Sequence, residues 1–131
     1  MANTLPRILL ALSSLILLVG GLMHAAAYNK TLSVVAASNL PSFYASSLKA
    51  LWLIDSATLI TLAAVFGFVA VRPLLASRSV LILLTIVPAV TAFFLYKFIG
   101  NFLPAHLLLA SAIAAICGAM GLQSPANPDS P

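Results

Sequence analysis

The chain has 131 residues, of which 63% are hydrophobic and only 6% charged, with a formal net charge of +4. A soluble domain carries about a quarter charged residues, so this composition excludes one and places the bulk of the chain in a bilayer. The six Lys and Arg are scattered singly, without the basic stripe of a nucleic-acid binder.

A hydrocarbon core of about 30 Å takes about 20 helical residues, and four segments meet that length. The first span runs over residues 8–27 and carries "GGLMHAAAY" near its end, with His24 in an otherwise apolar run. Ala25-Ala26-Ala27 resembles a signal-peptide cleavage site, but the apolar run is longer than the 7–15 residues of a signal core. We therefore read a retained transmembrane helix. Asn29-Lys30-Thr31 forms a glycosylation sequon, and its closeness to the span predicts that it is unused. The loop over residues 29–41, which includes "TLSVVAAS", is expected to lie along the interface.

Helical pattern then extends over residues 42–71. Residues 52–71 are assigned to the membrane and residues 42–51 to an interfacial or tilted extension. "RPLLASR", Arg72 to Arg78, is a tight polar turn, so the second span (52–71) and the third (79–98) are expected to be antiparallel neighbours. Pro88 removes a backbone hydrogen bond in the third span, and Thr85 or Thr91 is expected to help satisfy the freed carbonyl. Gly100-Asn101 is a second tight turn, leading to the fourth span at 102–122. There Ala110, Ala114 and Gly118 recur every four residues as a small-xxx-small surface, read as packing within the bundle in preference to a homodimer face. Cys117 is the one cysteine, too few for a disulfide or a Cys-based zinc site. Residues 123–131, "QSPANPDSP", read as a disordered polar tail. The predicted fold is all-α: a single domain, residues 1–122, forming an up-down four-helix membrane bundle with both termini on one side.

Arg7, Arg72 and Arg78 fall on the side of the termini, and Lys30, Lys49 and Lys97 on the other, so the positive-inside rule is tied. The termini are assigned to the cytoplasm. This topology gathers His24, Asp55, Lys97, His106, Trp52, Tyr28, Tyr44 and Tyr96 in one leaflet as a polar layer. The tyrosines, Trp52, Lys30 and Lys49 read mostly as interfacial anchors. Asp55 is different: an intramembrane carboxylate calls for a partner, and Lys97, His24 and His106 are the candidates. Gly20 and Gly21 form a notch beside His24 that would admit a flat ligand or another helix.

Three functions compete. The first is a non-enzymatic integral membrane protein, binding lipid or a small apolar ligand or serving as an accessory subunit of a membrane complex. The second is a redox protein with haem b between His24 and His106, or a metal on His24, His106 and Asp55. No CxxCH or HxxxH spacing backs it, and no cofactor or metal is predicted. The third is an oligomeric proton-coupled transporter using Asp55. The expected partners are the lipid bilayer and another membrane protein or a second copy, not nucleic acid. With "GGLMH", "LKALWLIDS" and "LPAHLLLASA" at the ends of its spans, the chain resembles small four-span bacterial inner-membrane proteins. That resemblance rests on span pattern, implies a bacterial inner membrane and implies nothing about chemistry.

Overall fold

The computed structural model describes residues 4–122. The predicted tail at 123–131 lies outside them. Helix α1 covers Thr4–Ala26, α2 Tyr28–Ala36, α3 Ser42–Val71, α4 Arg78–Phe98 and α5 Leu103–Gly121. A single 3-10 turn, Pro73–Leu75, lies between α3 and α4. Four runs are long and apolar enough to cross a membrane: Thr4–Ala36, Ser42–Val71, Arg78–Phe98 and Leu103–Gly121. The fold is an all-α four-helix bundle, with the apolar spans of a multi-pass membrane protein.

Ser77, Gly100 and Pro104 mark three of the helix ends. Ser77 caps α4 by accepting from the Val80 N–H at 3.3 Å. Gly100, at φ 92°, ends α4; its N–H returns to the Leu95 and Tyr96 carbonyls, a left-handed C-terminal turn that favours glycine. Pro104 sits in the first turn of α5, where its missing N–H removes no helical bond.

The expected loop at 29–41 is corrected. Tyr28–Ala36 is helical and almost continues α1, since Ala27 keeps right-handed helical dihedrals and the Thr31 N–H bonds the Ala27 carbonyl at 3.1 Å. Only Ala37–Pro41 turns the chain back. The α2 helix packs on α3 and buries Val35.

The lateral order is also different from the expectation. Helix α1 packs against both α3 and α5, and α4 packs mainly against α5; α3 and α4 touch only sparsely. In contact order the helices run α3–α1–α5–α4. The short Arg72–Arg78 connection brings two helix ends together without bringing two helix faces together.

Adjacent serines explain the central place of α1. Consecutive helical positions point about 100° apart. Ser13 meets Ser111 of α5, Oγ to Oγ at 2.8 Å with both residues fully buried. Ser14 donates to the Ala63 carbonyl of α3 at 2.7 Å. Close approach continues below: a Cβ on Gly118 would fall 2.9 Å from Leu10 Cγ and from the Pro6 carbonyl oxygen, and one on Gly121 2.6 Å from Pro6 Cγ. Gly118 and Ala114 are therefore buried inside the bundle, as packing requires, whereas Ala110 is exposed and lies off the seam. Leu10, Leu17, Phe66 and Leu81 fill the core between these seams.

On α4 the buried residues are Leu81, Thr85, Pro88 and Ala92, one helical stripe that includes the proline. Thr85 donates to the Ile82 carbonyl and Thr91 to Val87, so neither takes the Leu84 carbonyl that Pro88 leaves without an N–H.

Candidate functional site

Register fixes depth. Leu103, the first residue of α5, lies about two turns before Ser111, and about two turns beyond Ser13 on the antiparallel α1 is Gly21. Everything on α1 beyond Gly21 stands past the start of α5. His24 is thus level with the Gly100–Asn101 turn, and His106 is about a turn and a half deeper in the bundle. Helix α2 and the first half of α3 overrun α4 and α5 by about 15 Å, at about 1.5 Å per residue. The α3 residues that are buried all follow Asp55: Ser56, Leu59, Leu62, Ala63, Phe66, Val69 and Ala70.

His24, from the last turn of α1, is held by three residues of one turn of α3. Trp52 stacks on its ring, with centroids 4.0 Å apart and planes 11° from parallel. The indole Nε1–H donates to the His24 carbonyl at 2.7 Å. That carbonyl is in the last turn of α1, where the helix supplies fewer partners. His24 Nδ1 and Ser56 Oγ are 2.9 Å apart. Asp55 Oδ2 lies 3.6 Å from His24 Nε2, with the two side chains 41% and 28% exposed.

A serine, a histidine and an aspartate in a row invite comparison with a hydrolytic triad. The hydrogen bonds argue otherwise. Ser56 donates its one hydroxyl hydrogen to the Trp52 carbonyl at 3.0 Å, so it accepts from His24 Nδ1–H. Ser56 is also 3% exposed, out of reach of a substrate. The imidazole meets its serine through a nitrogen that already carries hydrogen and does not serve as its base.

The second histidine belongs to a separate cluster. His106 Nδ1 is hydrogen-bonded to the Tyr96 hydroxyl, and Nε2 to Asn101 Oδ1 at 2.6 Å. The amide oxygen only accepts, so Nε2 donates, and Nδ1 then accepts from the tyrosine. The glycine turn at Gly100 brings Asn101 to this position.

The predicted polar layer thus divides into His24–Trp52–Asp55–Ser56 and Tyr96–Asn101–His106. Lys97 joins neither; its Nζ stands 5.4 Å over the ring of Phe98. Tyr28 and Tyr44 lie on the overrunning part, where Tyr44 packs edge-on to Phe43. The glycine notch is closed on one side, because a Cβ on Gly21 would meet Ile60 Cγ1 at 2.9 Å and Leu59 Cβ at 3.1 Å. Gly20 has nothing within 4 Å of that position. Among the described residues no three His, Cys, Asp or Glu gather as a metal site.

Sequence reasoning missed Ser56, Asn101 and the role of Arg7. From the first turns of α1, Arg7 Nε donates to the Ala70 carbonyl at 2.7 Å and Nη2 to Val71 at 3.3 Å. These are last-turn carbonyls of α3 that lack helical partners, and a cation there also meets the negative end of the helix dipole. The available signal was positional: an arginine opening one helix lies level with the end of its antiparallel neighbour. Comparison with protein-family models, curated proteins and solved structures finds no match.

Proposed function

We propose that this chain is a non-enzymatic integral membrane protein of the bacterial inner membrane, with cytoplasmic termini, that works by binding lipid and associating with other membrane components. The supporting observation is that both histidines have both ring nitrogens facing protein partners. Their side chains tie α1 to α3 and α4 to α5, which is a helix-orienting role. The haem and metal readings need His24 and His106 on one ligand, whereas His24 stands with Asp55 and Ser56 between α1 and α3, and His106 with Tyr96 and Asn101 at the joint of α4 and α5. In the transporter reading, Asp55 would act from one end of the bundle, since every buried residue of α3 follows it.

The test joins spectroscopy to stability. Purified protein is expected to show no stoichiometric Soret band or bound metal, while His24→Ala lowers the denaturation midpoint in detergent. A stoichiometric Soret band or metal content that His24→Ala removes would overturn the reading.

A further inference from the structure

The arginine end of the bundle holds a pocket of about 340 Å³, lined by Thr4, Arg7, Ile8, Ala11, Gly67, Ala70 and Val71. It opens along the seam between α1 and α3. We propose that it binds the anionic headgroup of a phospholipid, with Arg7 on the phosphate and an acyl chain running along Ile8, Ala11 and Val71. This deepens the lipid-binding reading above by naming the lipid class and the site.

Four observations lead there. The Ala70 and Val71 carbonyls hold Nε and Nη2 of Arg7, so the guanidinium is fixed in orientation before any ligand arrives. A guanidinium has five N–H groups in a planar fork that matches phosphate, so it has further donors than these two bonds use. Ile8, Ala11 and Val71 are exposed, which in a membrane-spanning helix means apolar surface beside the cation, the pairing an amphiphilic anion needs. Among the described residues the charge at this end is all positive: Arg7, Arg72 and Arg78 lie here, and the one described acid, Asp55, lies at the other end. The pocket volume falls within the range of small-ligand sites and suits a phosphate with its glycerol rather than a whole lipid.

The experiment is thermal denaturation of the full chain in a neutral detergent, titrated with phosphatidylglycerol, phosphatidylcholine or inorganic phosphate. Phosphatidylglycerol is expected to stabilise at about tenfold lower concentration than phosphatidylcholine, and inorganic phosphate not at all. Arg7→Gln should abolish that preference. Because Arg7 also caps α3, Ala11→Leu is the decisive variant: it fills the groove, leaves the cap intact and should lose the preference too. Lys30→Gln, at the other end, should keep it. Equal stabilisation by the two lipids, an unchanged preference in Ala11→Leu, or equal stabilisation by inorganic phosphate would each overturn the assignment. These outcomes are independent of the Soret and metal measurements.

Discussion

Trp52 lies flat on His24 and at the same time donates its indole hydrogen to the backbone carbonyl of that residue. One side chain of α3 therefore holds both the ring and the main chain of the last turn of α1. Trp52→Phe keeps a stacking ring but loses the hydrogen bond, which should cost about 1 kcal/mol. Trp52→Ala loses both and should cost about 3 kcal/mol, near the low end for removing a packed aromatic. Reversible unfolding in mixed micelles, followed by circular dichroism, would measure the two; equal costs would show that the stack contributes nothing.

Trp52 is the one tryptophan in the chain, so its emission reports this contact alone. His24→Ala exposes a face of the indole, and its emission maximum should move. An unchanged spectrum would mean that the rings are not stacked in the membrane.

The Ser13–Ser111 pair should behave as a coupled unit. Ser111→Ala takes the partner of the buried Ser13 hydroxyl, Ser13→Ala leaves Ser111 only the Ser13 carbonyl at 3.4 Å, and the double variant removes both hydroxyls. A double-mutant cycle should give a coupling of about 0.6 kcal/mol, the usual size for a hydrogen bond between membrane helices. Zero coupling would place the two hydroxyls on separate backbone partners.

Gly20 and Gly21 are neighbours with opposite surroundings. Gly21→Ala pushes a methyl onto Ile60 and Leu59, including the Ile60 backbone nitrogen at 3.2 Å, and should destabilise the α1–α3 seam by about 1–3 kcal/mol. Gly20→Ala meets nothing and should be neutral or slightly stabilising. If the two variants melt alike, the seam does not pass through Gly21.

Asp55→Asn should cost less than about 1 kcal/mol, because Asp55 Oδ2 stands 3.6 Å from His24 Nε2, beyond hydrogen-bond range, and before the buried part of α3 begins. The loss should shrink further in high salt. A larger, salt-independent loss would place the carboxylate out of contact with water.

The four spans were legible because apolar length is a property of each segment by itself. Ser42–Val71 could be read to its end residues, since Pro41 and Arg72-Pro73 bracket it. Helix α2 was not legible: nine residues with Val35 as their one buried position carry too little periodicity to separate helix from interfacial loop. Lateral order was not legible either. A short turn constrains two helix ends, whereas the facing of α1 toward α3 and α5 rests on Ser13, Ser14, Gly21 and Gly118, small residues whose partners are distant in sequence. His24, Trp52 and Asp55 could be nominated by their type and shared depth. Ser56 could not, because a hydroxyl in a membrane helix usually bonds its own backbone, and Ser56 does that as well.

The contact order α3–α1–α5–α4 also bears on how the chain is made. Each half closes on itself as a hairpin, α1 with α3 and α4 with α5, and the halves meet along the serine and glycine seam between α1 and α5. Val71, the last residue of the first hairpin, joins the chain before any residue of the second. The Arg72–Arg78 connection then acts as a tether that raises the local concentration of one hairpin near the other. Two fragments divided within that connection and co-expressed in one membrane should find each other through α1 and α5, because the seam that recognises the partner lies within the helices and not in the segment that was cut.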